Sequence, residues 1–283
     1  MDANNEIFSL DYAVQHYAWG KLGQESLVYK LYKGSGFCDN PAPNKPYAEL
    51  WMGDHPSGPS LIQTKSLEKV SLRDSIAQNP ELFLGKAYDG KNKSLPFLFK
   101  VLSVNTILSL QVHPDKEKAM SLHQKFPEIY KDGNHKPEIA IALSEFEAFC
   151  KFRPREEIIQ ALQENKVVAE FIGKDLVEKF IHCDRSEANE VLRSILKEIL
   201  TKNKDEVKLY IDKLLQYISE RTEKSARDNL VYRIHELYPY DSGVFISYFL
   251  NYIVMKPGEA IIMGPNEPHA YIKGDCIECK FSK

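Results

Sequence analysis

Residues 248–271 read YFLNYIVMKPGEAIIMGPNEPHAY, and this stretch decides the fold class. Two apolar runs, residues 248–255 and 260–263, are each of strand length. Each ends at a turn bearing Pro and Gly, Lys256-Pro257-Gly258-Glu259 and Gly264-Pro265-Asn266-Glu267-Pro268. Proline fixes φ and lacks a backbone donor, while glycine adopts conformations closed to other residues, so both interrupt a strand. Short strands at such close intervals predict an all-β barrel or sandwich. His269 follows Pro268 directly in the second turn.

Upstream, the apolar run Ile107-Leu108-Ser109-Leu110-Gln111-Val112-His113 reads as a strand. Side chains two apart on a strand share a face, so Gln111 and His113 point the same way, with Ile107 and Ser109 on that face. Residues 137–143, PEIAIAL, read as the next strand, and pairing of the two would lay Glu138 beside His113. Imidazole and carboxylate are a common ligand mix for a metal. On spacing alone, a hydrogen-bonded pair at a sheet edge is the competing reading. Between these strands, residues 115–125 have helical spacing, with Pro114 and Asp115 as start signals.

Other segments add ionisable groups to apolar text. Glu49 sits in the strand-like run 46–53, and Lys100 is the one charge in residues 95–104, LPFLFKVLSV. A buried carboxylate needs a partner and a lysine is rarely buried without reason, so each either pairs with the other or joins a site. Residues 25–32 are a short amphipathic helix candidate and 34–46 a Pro/Gly-rich loop. From Pro154 to about Leu237, apolar residues recur at i, i+3, i+4 among many Glu and Lys, which predicts several helices. The expected organisation is therefore a β domain over residues 1–152, an all-α insertion over 153–240, and a return to the β domain over 241–283.

Composition narrows the function classes. A formal charge of −3 over 283 residues offers no electrostatic reason to expect nucleic acid or an anionic membrane as partner. No apolar run reaches membrane-span length, and the opening MDANNEIFSL is unlike a secretory leader, so a cytoplasmic location is expected. The five cysteines, Cys38, Cys150, Cys183, Cys276 and Cys279, are too few and scattered for a disulfide framework. The single Cys276-Ile277-Glu278-Cys279 reads as a strand with alternating side chains rather than a zinc or redox motif.

Taken together, Tyr17-Ala18-Trp19-Gly20, residues 46–53, residues 95–104, His135-Lys136-Pro137-Glu138, residues 256–260, Pro268-His269-Ala270-Tyr271 and residues 274–279 resemble the type I phosphomannose isomerases of the cupin superfamily. The resemblance implies a mainly β cupin (jelly-roll) barrel with a helical insertion, and one Zn2+ held by Gln111, His113, Glu138 and His269. It implies a monomer that interconverts mannose 6-phosphate and fructose 6-phosphate through an enediol, feeding GDP-mannose synthesis and protein glycosylation. Such a reaction needs a proton carrier between C1 and C2, for which Glu278 stands first and Lys136 second, unless the two simply pair with each other. Zinc would serve as electrophile or as orienting template. Lys100 and Ser109 are the expected phosphate contacts, and Trp19, Glu49 and Tyr271 complete the expected substrate site. In the family an Arg-Ala-Gly-x-Thr-Pro-Lys motif and a further barrel domain follow the Cys-x-x-Cys segment, where this chain has Lys280-Phe281-Ser282-Lys283. The expectation is of an impaired isomerase, with an inactive sugar-phosphate-binding cupin as the alternative and a metal-dependent oxygenase as a third.

Overall fold

The run 269–281 forms the organising strand, His269–Phe281, in which most side chains before Cys276 are buried. In this computed structural model, which describes residues 7, 9–36, 40–63, 68–131 and 133–281 (Ala87 by its backbone alone), that strand pairs antiparallel with Phe97–Val104 and with Glu138–Ala142, and Phe146–Phe152 is a further neighbour. On one side the sheet continues through Glu49–Met52 to Ala13–Gln15. On the other, Glu138–Ala142 pairs with Ala260–Met263. The apolar run around Lys100 is thus an inner strand bounded on both edges, which is why it reads almost without polar interruption.

One face of the sheet is closed by the helix Leu27–Gly34. Ser26 caps it, accepting from Tyr29 N at 3.1 Å while its own hydroxyl donates to Tyr47 O at 2.8 Å. Val28 and Tyr29 then pack with Tyr47, Leu50 and Val101 in one buried cluster. A three-stranded sheet, Leu10–Asp11, Leu61–Gln63 and Lys69–Ser71, carries a smaller core of Ile62, Leu72 and Ile76.

Gly274 lies within the long strand at φ +118°, a conformation that a side chain rarely adopts. A Cβ there would strike the Glu145 carbonyl and lie 2.8 Å from Phe146 Cα. Gly274→Ala is expected to cost about 2–4 kcal/mol of stability, read as a lower urea midpoint with an unchanged slope.

The chain divides into two compact units, the boundaries falling after Ala148 and before Val254. The second unit holds six helices of seven or more residues among the described residues, Arg155–Glu164, Lys166–Ile172, Lys174–His182, Ala188–Thr201, Lys204–Ser219 and Ala226–Leu237. Their buried residues recur at helical spacing, as in Val207, Ile211, Leu214 and Ile218. Ser225 and Asp228 form a capping box at the start of the last of these helices, and Arg221 donates to both Asp228 oxygens. None of the described helices is long and apolar enough to cross a membrane.

Several expectations need correction. The run 107–113 is not a strand: it meets the His269–Phe281 strand at an isolated bridge, Gln111 with His269, and through Leu108 N donating to Tyr271 O at 2.8 Å. Ser109, Leu110, Gln111 and Val112 are all exposed in succession, so burial does not alternate and the side-chain parity inferred from a strand does not apply. Nor does this run pair with Glu138–Ala142, whose two edges are taken by other strands. The helical unit runs over 149–253 rather than 153–240, and it is not wholly α, since it takes in the inner ends of Phe146–Phe152 and Leu250–Met255. The latter strand begins two residues later than its apolar run because Ser247–Phe249 forms a 3-10 turn. The first helix starts at Leu27 because Ser26 is its cap. Cys38 lies outside the described residues; Cys150, Cys183, Cys276 and Cys279 are free thiols.

Candidate metal centre

Three loops and strand ends bring ligand-type side chains to one point. Glu138 opens its strand directly after Pro137, and His269 opens the long strand directly after Pro268. His113 arrives on the loop that follows the Gln111 bridge. That loop is held by reciprocal backbone bonds, Gln111 N to His269 O at 2.9 Å and His269 N to Gln111 O at 3.0 Å, and by Asn266 N donating to His113 O at 2.7 Å. Asn266 itself sits at φ +63°, which asparagine tolerates better than most residues. His269 Nδ1 lies 3.0 Å from the Glu267 carbonyl and donates to it, which leaves Nε2 as the basic nitrogen.

The result is a cluster of His113, Glu138 and His269 whose ligand atoms all lie within 4.8 Å of one another. Glu138 uses one oxygen for each imidazole: Oε1 is 3.3 Å from His113 Nε2 and Oε2 is 3.2 Å from His269 Nε2. Neither Nε2 makes an aligned hydrogen bond, although both are buried. Tetrahedral bonds of zinc length set ligand atoms about 3.3 Å apart, so the spacing and the unpartnered nitrogens both fit a small divalent cation. Burial raises the Glu138 pKa, but the close approach of His113 and His269 outweighs it and holds the carboxyl well below its usual range. Burial works against a charged His269, and Glu138 reverses this, so the imidazole is raised. A cation competes with these protons.

Beside the cluster is a cavity of about 150 Å3. Gln111, Glu138 and His269 line it together with Glu49, Lys100 and Glu278, and Tyr271 and Lys280 are also in its wall. Strand register explains the second group: Lys100 stands opposite Glu278 on one neighbour and opposite Trp51 on the other. Its ammonium lies 3.0 Å from Glu49 Oε2 and 3.3 Å from Glu278 Oε2, and 5.2 Å from the centre of the Trp51 ring. Trp51 Nε1 donates to the same Glu49 oxygen. Burial disfavours the Lys100 charge, yet Glu278 and then Glu49 overcome this and raise its pKa. Burial raises Glu278 in turn; Lys100 opposes that shift and Glu138 adds to it. One ammonium thus serves two carboxylates, and burial makes Glu278 hold a proton more readily than an exposed carboxyl does. A carboxyl so tuned, facing a cavity, is equipped for proton transfer.

The remaining expected site residues are dispersed. The Tyr271 hydroxyl is buried in the cavity wall near Glu278, and burial pushes its pKa up. Ser109 is exposed and Lys136 is half-buried in the turn before Glu138; neither lines the cavity. Trp19 also lies outside the cavity wall, stacked on Tyr17 at 5.8 Å, while its carbonyl accepts from Asn105 N and Thr106 N and so anchors the start of the Gln111 loop. Sequence reasoning missed Trp51 and Lys280. Strand parity was the available signal for Lys280, since it stands two residues beyond Glu278 on the same strand.

Comparison with known proteins places this geometry. Residues 7–155 match the family described as phosphomannose isomerase type I, catalytic domain, and residues 167–250 match its helical insertion domain. The mannose-6-phosphate isomerase of Homo sapiens is 41% identical over 281 residues, covering 96% of this chain and 66% of its own length. That of Schizosaccharomyces pombe is 38% identical over 283 residues, covering 96% and 67%. Among solved structures, a mutant phosphomannose isomerase from Salmonella typhimurium superposes with a TM-score of 0.83 at 34% identity, covering 98% of this chain and 68% of that one. A mannose 6-phosphate isomerase solved with zinc bound gives 0.80 at 33% identity, covering 97% and 68%. The chain spans about two thirds of the length of these relatives. A β-rich unit bearing the His-Glu-His cluster, interrupted by a helical unit that matches the family's own insertion, identifies this chain as a member of the type I phosphomannose isomerase family.

Proposed function

We propose that this chain interconverts mannose 6-phosphate and fructose 6-phosphate, using a Zn2+ held by Gln111, His113, Glu138 and His269. The observation that carries the reading is the convergence of two buried imidazole nitrogens, neither with an aligned hydrogen bond, on a buried carboxylate beside a cavity that also holds Glu278. When bound, the metal supplies a Lewis-acidic charge for a sugar oxygen. The chain's own residues do the rest. Glu278 takes the proton from one of the two adjacent sugar carbons and returns it to the other, a role that suits a carboxyl raised by burial. Lys100 holds Glu278 in place and limits that rise. Tyr271 offers a buried hydroxyl in the cavity wall to a sugar oxygen, and Glu49 acts through Lys100. Lys136 is the second candidate for proton transfer. Ser109 and Trp19, beside the Gln111 loop, are assigned to the part of the substrate outside the cavity.

The reaction is assigned to a single chain in the cytosol. Support comes from a ligand cluster drawn from one chain and from cysteines that are free thiols among the described residues.

A coupled assay for fructose 6-phosphate tests the reading. Steady conversion of mannose 6-phosphate by the metal-loaded chain is expected. Tight binding without conversion would instead make it a sugar-phosphate-binding protein, and no response to mannose 6-phosphate would end the assignment. Glu278→Gln is expected to lower turnover about a hundredfold without loss of bound metal. Because burial raises Glu278, the rising limb of kcat/KM is expected above the ordinary carboxylate range and to vanish in this variant. Full turnover by the Gln variant would remove Glu278 from the mechanism.

A further inference from the structure

The cavity wall carries three carboxylates, Glu49, Glu138 and Glu278, and two ammonium groups, Lys100 and Lys280. The two lysines differ in what they face. Lys100 lies within 3.3 Å of two carboxylates and is 5% exposed, so its charge is already matched. The Lys280 ammonium makes no ion pair within 4 Å and no hydrogen bond among the described residues, although the residue is only partly exposed, borders the same cavity and feels the charges of Glu278 and Glu138. It shares the strand face of Glu278 and stands opposite Glu138 in the ladder, next to the metal cluster.

A lysine this enclosed without an ion pair is uncommon, and Lys100, already bound to Glu49 and Glu278, has no charge to spare for an anion. We infer that Lys280 is the anion-recognising residue of this cavity, and that its ammonium receives the phosphate group of the substrate. The inference rests on the sugar-phosphate reading of the site and shifts the phosphate contact from Lys100 to Lys280. An ammonium is suited to that task as a compact point charge whose three donors a phosphate can satisfy.

Binding of fructose 6-phosphate, fructose and inorganic phosphate to the full chain, wild type and variant, tests it. Lys280→Met is expected to weaken fructose 6-phosphate and inorganic phosphate about tenfold or more, as loss of a charge-assisted contact does, and to leave fructose unchanged. Lys280→Arg is expected to restore most of the affinity, and the Met variant to keep its metal content and melting temperature. In turnover the change is expected in KM, with kcat nearly preserved. Should the Met variant fail to fold, Lys280→Gln takes its place. Equal affinity of the folded Met or Gln variant and wild type for both phosphate-bearing probes overturns the inference, as does a wild-type protein that binds neither. Phosphate bound through Lys280 by a chain that converts no mannose 6-phosphate would sink the isomerase reading and leave this one standing. Conversion with an unaltered KM in the Met variant would do the reverse.

Discussion

Glu138→Ala is expected to strip the protein of stoichiometric metal, and turnover with it. Glu138 reaches both imidazoles, at 3.3 and 3.2 Å, and it brings the negative charge of the cluster. Losing a residue that merely orients a ligand costs roughly 10- to 100-fold in metal affinity, so losing a direct ligand costs more. Elemental analysis after dialysis measures this, with Glu138→Gln as the neutral variant of nearly the same shape. The Ala variant is expected to fold, because the strand contacts of Glu138–Ala142 run through backbone pairs on both edges. One equivalent of metal retained by this variant after dialysis would rule out the centre described here.

Lys100→Met is expected to be the most destabilising of these substitutions, by about 3–5 kcal/mol, because it leaves Glu49 and Glu278 buried without their shared cation. The pH dependence follows from the sign of the change. Without the ammonium, Glu278, which burial raises and Lys100 holds back, binds its proton more tightly in the folded chain than in the unfolded one. Folded-state pKa values raised in this way favour the native state below the unfolded pKa and lose that contribution as pH rises. The deficit is therefore expected to be smallest near pH 4 and to grow above about pH 5, read by urea unfolding across that range. Removing the two charges as well, with Glu49→Gln and Glu278→Gln, is expected to recover part of the loss. A Met variant as stable as wild type would mean that Lys100 and its two carboxylates are solvated rather than mutually dependent.

Much of this was legible from residue order because strands and helices advertise themselves by local periodicity. The run 260–263 is a strand with the bounds its turns imply, and residues 115–125 form a helix whose cap is Asp115. Helical spacing in 154–237 likewise marks the helical unit. Its limits at Phe149 and Ile253 were not legible, since they depend on which unit each residue packs into.

At the site, the chemistry of single residues was readable and their company was not. His113, Glu138 and His269 were identifiable as ligand types, and burial of Glu49 and Lys100 in apolar runs announced that each needed a partner. Pairing of the His113 and Glu138 segments was the wrong route to the right neighbours: His113 comes in on a loop tied to the His269 strand, while Glu138 lies in a strand whose edges are already filled. By itself, then, the sequence determined where regular elements lie and which side chains carry ligand or proton chemistry, because periodicity and functional groups are local. Only the tertiary structure decided that Lys100 bridges two carboxylates and that Lys280 borders the cavity with no ion pair among the described residues. Strand register and sheet order arise from contacts between distant segments, which no local pattern encodes.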